Sequence, residues 1–233
     1  MVESSVMKSK SAFTQDERNA VYRAIRERRD VRSGYLSRPL EDDILLKLLS
    51  AAHMAPSVGL MQPWRFVVVR DAGLRAAVHD NFLCANRKAE AACPADRRAA
   101  YGQLRLEGLL DTPQHLCVVC DSISERGHGL GRNSMPRTAS HSVVCAIQNL
   151  WLAARAEGIG VGWVSILDPS AIKALLKIPS HLELVAYLCL GYVEGFSALP
   201  DLERDEWEQR EELASLVRVN YFDQPYPVAE AGQ

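Results

Sequence analysis

A long apolar helix joined by a single glycine to an apolar strand constrains the fold of this chain more than any other stretch. Over residues 139–157 apolar side chains cover most of a helix surface, namely Val143, Val144, Ala146, Ile147, Leu150, Trp151 and Ala154. A helix of this kind is buried among other elements. We expect Thr138 to cap it, Gly158 to end it, and a buried strand to follow over residues 159–166.

The remainder of the chain alternates in the same way between helices and short apolar strands. A capping box from Thr14 to Glu17 opens a first helix, which ends near Arg28 and Arg29. The pattern predicts further helices over residues 41–55 and 169–177 and two within 72–108, and further strands over 66–69, 115–120 and 184–190. Few strands and much helix predict an α+β domain, in which helices cover a small central sheet.

The two ends of the chain differ from this middle part. Residues 1–13 are expected to form a disordered leader, and residues 14–198 to form the single domain. Residues 199–233 are polar and contain three prolines, so we expect an arm that lies on another surface. Within that arm, residues 203–217 are predicted to form one more helix.

The composition argues against several classes of protein. A net charge of −2 over 233 residues gives no reason to expect binding to nucleic acid or to an anionic membrane, and no apolar run approaches a membrane span. Cys117 and Cys120 form a CxxC pattern, but residues three apart on a strand point to opposite faces. We therefore expect all six cysteines to be reduced, as in a cytoplasmic protein. The histidines show no metal-ligand spacing, and no metal is expected.

The loop of residues 56–64 connects a predicted helix to a predicted strand. Prolines near both ends restrict its backbone, and Ser57 and Gln62 offer polar side chains within an apolar segment. A rigid loop with few polar groups suits the wall of a ligand site. The same features also fit a simple connection whose Trp64 belongs to the core.

Three arginines and one aspartate gather directly after the first helix. The guanidinium groups of Arg28, Arg29 and Arg32 suit a phosphate, but arginines at the end of a helix also satisfy its last carbonyl groups. Asp30 has no such role, because a carboxylate at the negative end of a helix is mildly unfavourable. Asp30 is therefore the more informative residue of the group.

The glycines at positions 158, 160 and 162 superficially resemble a dinucleotide-binding loop. That fingerprint follows a strand and opens a helix, whereas these glycines follow a helix and enter a strand. They indicate instead that a flat ligand or another backbone approaches closely. Ser165 ends this strand outside any GxSxG motif, so it is either a site residue at a strand end or a serine near a turn.

Four motifs together resemble the nitroreductase-like flavin superfamily. They are RRDVR at 28–32, HMAPSVGLMQPWRFVVV at 53–69, RLEGL at 105–109 and IQNLWLAARAEGIGVGWVSILDP at 147–169. They resemble most closely the 5,6-dimethylbenzimidazole synthase branch, whose members destroy a flavin. The resemblance covers residues 22–193. It departs at His141, where the family carries a tyrosine, and we assign no role to His141.

The resemblance implies both a fold and a site. The fold would be a nitroreductase-like α+β homodimer with FMN at the dimer interface and C-terminal arms embracing the partner. Residues 72–108 would cover the flavin ring. The implied FMN contacts are Arg28, Arg29, Val31, Arg32, Ser57, Gln62, Leu106 and Gly191. Asp30 and Ser165 match the catalytic aspartate and serine of the family.

The reaction implied by the resemblance uses the flavin as a substrate. Reduced FMN and dioxygen would give 5,6-dimethylbenzimidazole and erythrose 4-phosphate, and a separate flavin reductase would supply the reduced FMN. Three alternatives stay open: an NAD(P)H-dependent nitroreductase or flavin oxidoreductase, a non-catalytic flavin-binding protein, and a serine hydrolase that uses Ser165.

Overall fold

A four-stranded antiparallel sheet lies at the centre of the computed structural model, which describes residues 12–227. Its strands are β1 (Trp64–Val69), β2 (Gln114–Cys120), β3 (Ile159–Val164) and β4 (Glu183–Tyr192), in the order β1-β2-β4-β3. All three neighbouring pairs run antiparallel. Each strand overlaps a predicted one, which confirms the small sheet of the predicted α+β fold.

Eight α-helices and two short 3-10 helices, Val58–Leu60 and Arg126–Gly129, accompany the sheet within residues 12–227. The α-helices are α1 (Gln15–Glu27), α2 (Asp42–His53), α3 (Ala72–Ala92), α4 (Arg98–Tyr101), α5 (Thr138–Ala156), α6 (Pro169–Leu175), α7 (Asp201–Arg204) and α8 (Leu213–Leu216). The predicted capping box of α1 is present, because Thr14 and Glu17 bind each other's backbone amides. The predicted leader lies almost entirely outside the described residues. None of the described helices is long and apolar enough to cross a membrane.

Two helix predictions are wrong in part. The second helix predicted within residues 72–108 is reduced to the single turn of α4, which ends at Tyr101 and has Gly102 as its C-cap. Residues 203–217 do not form one helix, because α7 ends at Arg204 and Glu206 adopts a positive φ of 54°. The run DEWEQREE is strongly acidic. Like charges one turn apart destabilise a helix, and short helices need a packed face to persist.

Helix α5 fills the core on one face of the sheet. Its buried residues are Ala139, Ser142, Val143, Ala146, Ile147, Leu150, Trp151 and Ala154. Cys120 lies in this core, whereas Cys117 lies on the opposite face with Val78 of α3 and Ile172 of α6. The two thiols therefore point to opposite faces, as predicted, and both are free. Burial raises the pKa of Cys117 to about 12 and that of Cys120 to about 11.

The start and the surface of α5 differ from the prediction. Thr138 is the first residue of the helix rather than its cap, and its hydroxyl donates to the carbonyl oxygen of Met135 at 2.6 Å. The predicted cap is therefore wrong. Val144 is 43% exposed, so part of the apolar surface of α5 lies open.

A neighbouring backbone fits against the glycines of β3. A Cβ at Gly162 would lie 2.3 Å from the carbonyl oxygen of Val31, so no larger residue fits there. Asp30 forms a parallel bridge with Val161, and the amide of Val31 donates to the carbonyl oxygen of Val161 at 3.0 Å. The close approach predicted from the glycines is thus made by the chain's own backbone. It holds the segment after α1 along the outer edge of β3.

Candidate active site

The carboxylate of Asp30 is held by three hydrogen-bond donors beside β3. Its Oδ1 accepts a hydrogen bond from the backbone amide of Trp163 at 2.9 Å. Its Oδ2 accepts from Nε and Nη2 of Arg32 at 3.1 and 2.8 Å. The Asp30 side chain is 30% exposed and that of Arg32 only 15%. A carboxylate offers about four lone-pair positions, so these bonds fix its orientation and leave one position open, on Oδ1.

The other two arginines of the segment are only partly engaged. Burial lowers the pKa of Arg28, whose guanidinium lies 4.8 Å above the ring of Trp151, while the charge of Asp30 acts in the opposite direction. Arg29 donates to the carbonyl oxygens of Arg26 and Arg28 at 2.8 Å each. Its Nε is buried without a hydrogen-bond partner in the described part of the chain. The arginines thus satisfy the helix end, as one alternative expected, and still retain donor capacity.

A cavity of about 210 Å³ adjoins this segment. Residues 29–34 line one side, and residues between 194 and 204 line the other. Arg29 also donates to the carbonyl oxygen of Ala198, which ties the two sides together. The cavity therefore has cationic and backbone donors on one wall and lies directly beside the Asp30 carboxylate.

Ser165 follows β3 directly, at the same edge of the sheet as Asp30. It is exposed, and its hydroxyl makes no hydrogen bond within residues 12–227. Only one residue separates it from Trp163, whose amide holds Asp30. Two residues of a strand span about 7 Å, so the serine and the aspartate border one short stretch of β3.

Leu106 and Gly191 are placed differently from each other. Leu106 is half buried and packs against the core face that contains Cys117. Its neighbour Arg105 contacts Arg32 directly, which brings the RLEGL segment to the Asp30 cluster. Gly191 is buried, and a Cβ there would lie 2.7 Å from the ring of Pro113. Protein atoms therefore enclose Gly191, and its predicted contact with a flavin stays a prediction.

Ser57 and Gln62 are joined to each other in the loop before β1. The hydroxyl of Ser57 accepts a hydrogen bond from the amide of Gln62 at 3.0 Å. The side-chain oxygen of Gln62 accepts from Arg126 at 3.3 Å. Gln62 and Arg126 line a second cavity of about 730 Å³ together with His53 and Trp64. This cavity and the one beside Asp30 share no lining residue in the described chain.

The sheet register shows how far apart the two halves of the predicted site lie. Asp30 bridges to Val161, in the row that ends at Gln114 of β2, whereas the loop enters β1 in the row of Cys120. These rows are about 20 Å apart along β2, and the Asp30 segment, which lies one strand spacing beyond β3, is roughly 19 Å from β1 across the strands. The two halves occupy opposite corners, and one small ligand cannot bridge them within one chain.

Several residues of the two halves of the site were not among the candidates predicted from the sequence. The Trp163 amide is a backbone group, and Arg105 and Arg126 come from distant parts of the chain. Arg105 stands within the RLEGL motif, which is the available signal for its position. Within residues 12–227 no group of three or more His, Cys, Asp or Glu side chains is arranged to hold a metal.

Comparison with known families identifies the class of protein. A family model described as the nitroreductase family matches residues 25–192, so this chain belongs to the nitroreductase family. It is an enzyme of the oxidoreductase type, built on the α+β fold that the sequence predicted.

The relatives differ widely in their similarity to this chain. A 5,6-dimethylbenzimidazole synthase of Rhodospirillum rubrum is 48% identical over 183 residues, which cover 78% of this chain and 86% of the relative. An NADH dehydrogenase of Thermus thermophilus is 28% identical over 189 residues, which cover 71% and 83% of the two chains. The strong similarity to the named synthase confirms the branch predicted from the motifs.

A solved structure shares the fold at low sequence identity. The oxidised iodotyrosine deiodinase, solved with FMN and 3-iodo-L-tyrosine, superposes with a TM-score of 0.70 at 22% identity. The match covers 87% of this chain and 100% of the deiodinase. At this identity the match establishes the fold and not the reaction.

Proposed function

We propose that the protein converts reduced FMN and dioxygen into 5,6-dimethylbenzimidazole, the lower ligand of cobalamin, and erythrose 4-phosphate. The observation that carries the proposal is the contrast in identity within one family. The chain is 48% identical to a named 5,6-dimethylbenzimidazole synthase and 28% identical to an NADH dehydrogenase, over similar lengths. The fold alone supports either activity, because members of one fold often differ in chemistry.

The segment after α1 fits the phosphate and ribityl chain of FMN. An unpaired donor in a buried position is costly unless a ligand satisfies it, and Nε of Arg29 is such a donor within the described residues. Arg28 offers a second guanidinium beside it, and Val31 lines the adjoining cavity. In this proposal Arg28 and Arg29 hold the phosphate. Arg32 is the counter-ion of Asp30, since its Nε and Nη2 already bind that carboxylate.

Asp30 is the proposed general base. Bound flavin supplies a ring that reacts with dioxygen, and fragmentation begins when a proton leaves the ribityl carbon attached to the ring. The open lone pair on Oδ1 of Asp30 is the position to accept that proton, because the amide of Trp163 and Arg32 fill the others. A base held in one orientation typically contributes a factor of about 10² to 10⁴ to the rate.

Ser165 is the proposed second catalytic residue. Its hydroxyl is free of hydrogen bonds in the described chain and lies directly after β3, two residues beyond Trp163, whose amide binds Asp30. A hydroxyl can donate one proton and accept others, so it can hold a proton near the flavin ring. Asp30 and Ser165 then act at neighbouring positions along β3.

The proposed enzyme is a homodimer in which each copy completes the site of the other. Ser57 and Gln62 lie at the corner of the sheet opposite Asp30, so their predicted contact with the ring needs a second copy of the chain. The described part of the C-terminal segment exposes Phe222, Tyr221 and Leu213 by 90%, 68% and 68%. Large exposed apolar side chains of this kind suit a surface that meets a partner.

The reduced flavin comes from a separate flavin reductase in this proposal. A cover formed by residues 72–108, with Leu106 at its end, leaves little room above the ring for a nicotinamide. Water exclusion by the same cover protects the oxygen chemistry. All six cysteines are free, which fits a reducing compartment, and we place the enzyme in the cytoplasm.

The experiment that tests the function starts from FMN reduced without oxygen in the presence of the protein. Air is then admitted, and the mixture is separated by chromatography. The proposal requires 5,6-dimethylbenzimidazole to form in proportion to the protein sites present, and boiled protein serves as the control. Oxidation of NADPH with a nitroaromatic and no benzimidazole would instead identify a nitroreductase. Flavin binding without either product would identify a non-catalytic flavin-binding protein.

A further inference from the structure

Arg105 is joined to the Asp30–Arg32 pair by a reciprocal contact. Nε of Arg105 donates to the carbonyl oxygen of Arg32 at 2.7 Å. In return, Nη1 of Arg32 donates to the carbonyl oxygen of Arg105 at 3.1 Å. The outer part of the Arg105 guanidinium is paired with Asp111. Each arginine therefore holds the backbone of the other.

This contact engages the one nitrogen of the Arg32 guanidinium that does not face Asp30. Nε and Nη2 of Arg32 bind Oδ2 of Asp30, and Nη1 binds Arg105. A guanidinium is planar and its donors have a fixed geometry, so fixing Nη1 also fixes the direction of the other two nitrogens. The position of the Arg105 backbone thereby sets the angle at which Arg32 meets the carboxylate.

The segment that carries Arg105 is itself anchored in the core. The carbonyl oxygen of Leu109 is hydrogen-bonded to Nε2 of buried His115 at 2.9 Å. A Cβ at Gly108 would lie 2.9 Å from the ring of Tyr35 and 3.2 Å from the carbonyl oxygen of Arg32, so the two segments pack closely. Residues 105–109 are therefore anchored in the core and hold Arg32 in a fixed position.

We propose that Arg105 is a positioning residue for Asp30: through Arg32 it aligns the carboxylate and links that alignment to residues 105–109. The catalytic consequence rests on the proposed function. The alignment itself is a property of the chain without flavin. It is therefore measurable even if the enzyme performs another reaction.

The Trp163 amide reports directly on this alignment, because its hydrogen is donated to Oδ1 of Asp30. Amide hydrogen exchange of the full-length protein without flavin, followed by NMR, measures how often that bond opens. Arg105→Ala keeps the carbonyl oxygen that Nη1 of Arg32 binds but removes the side chain that ties that carbonyl to the Arg32 backbone. It is expected to raise the exchange rate of Trp163 about tenfold, the effect of weakening one hydrogen bond to a charged group. Asp30→Ala, which removes the acceptor, sets the upper limit of the effect.

Arg87→Ala is the matched control. Arg87 is an exposed arginine of α3, in the same predicted cover, and no hydrogen bond or ion pair engages its side chain within residues 12–227. This variant is expected to leave the exchange of Trp163 unchanged. Arg105→Lys retains a cationic donor near the Arg32 carbonyl and is expected to recover part of the protection. Wild-type exchange in Arg105→Ala, or an equal rise in Arg87→Ala, would overturn the proposal.

A second measurement separates positioning from general structure. In a single turnover with reduced FMN and air, Arg105→Ala is expected to slow benzimidazole formation about tenfold, with the Kd for FMN changed less than about threefold. A Kd that rises as much as the rate falls would reduce Arg105 to a structural role and overturn the proposal. If the wild-type protein makes no benzimidazole but the exchange result holds, the proposed function fails and the positioning stands.

Discussion

The two outer edges of the sheet carry the two halves of the candidate site in different ways. At the β3 edge, Asp30 receives three hydrogen bonds from its own chain and is half-buried. At the β1 edge, Ser142 and Arg126 also hold the loop of residues 57–62 by hydrogen bonds, but none of these bonds orients an ionised side chain of the loop. Its backbone has φ values of 55°, 53° and 50° at Gly59, Leu60 and Gln62.

This difference indicates a division of labour. A side chain that is oriented in the isolated chain is ready for chemistry, because little has to move before the reaction. A positive φ outside glycine costs free energy, and such positions often occur at binding sites. Leu60 is also 71% exposed, as expected of a surface that meets something else. Variants of the oriented Asp30 at the β3 edge should therefore change the rate, and variants of the loop at the β1 edge should change binding.

The largest expected effect comes from removing the carboxylate at the β3 edge. Asp30→Ala should lower the single-turnover rate of benzimidazole formation by roughly 10³, because the proton acceptor is lost. The Kd for FMN, measured by the quenching of flavin fluorescence, should change less than about threefold. Asp43→Ala, at an exposed aspartate of α2, is the control and should retain the full rate. A parallel loss of flavin binding would remove the distinction between the edges.

The second prediction tests whether the two edges come from different copies. Asp30→Ala and the double variant Ser57→Ala, Gln62→Ala should each be nearly inactive at limiting FMN. Mixed after dissociation and reassociation, they should recover about a quarter of the wild-type activity. Random pairing makes half of the dimers mixed, and each mixed dimer has one intact site. No recovery, with mixed dimers demonstrated by mass spectrometry, would place both halves in one chain.

The third prediction concerns the contact that holds the β3 edge together. Gly162→Ala should lower the free energy of unfolding by about 3 kcal/mol, because the new methyl group collides with the carbonyl oxygen of Val31. Gly158→Ala is the matched control, since it has a φ of 74° and open space around it. It should cost only about 1 kcal/mol. Urea unfolding measures both, and equal costs would show that Val31 yields without strain.

The smallest expected effect is a pH dependence of the free energy of unfolding. It comes from buried His115, which anchors the segment of residues 105–109. Burial, aided by the charge of Arg75, lowers the pKa of His115 from 6.5 to about 4. The unfolded chain then binds a proton that the folded chain does not, so stability is lost as the pH falls from 6.5 towards 4. Because of His115, the free energy of unfolding should be about 2 kcal/mol lower at pH 5 than at pH 7. His115→Gln should remove that part of the pH dependence, and an unchanged slope would contradict it.

Local patterns in the sequence predicted much of the fold and little of the tail. The apolar periodicity of α5, the capping box of α1 and the apolar runs of the four strands all led to elements that the structure contains. The helix predicted over residues 203–217 is wrong because this charge-rich segment has the composition of a helix but no buried face. The cap predicted at Thr138 is wrong because its hydroxyl donates to a carbonyl oxygen of the preceding turn instead of capping the helix.

The candidate site was predictable as a set of residues but not as an arrangement. The motifs pointed to Arg32 as a contact of the flavin phosphate and ribityl chain, which stays a prediction, and the structure adds that two of its nitrogens bind Asp30. The reciprocal contact of Arg32 with Arg105 joins residues 73 positions apart. No spacing in the sequence predicts that contact, because it depends on how two loops meet at one edge of the sheet.

The sequence by itself determined the four strands, the longer helices, the family and the residue types available for chemistry. These depend on neighbouring residues and on motifs that are continuous in the chain. Only the tertiary structure decided that the backbone of Val31 fits against Gly162 and that Asp30 is fixed by the Trp163 amide. It also placed the loop of residues 57–62 at the opposite corner of the sheet. The physical reason is that strand order and register bring together residues distant in sequence, and no local pattern records either.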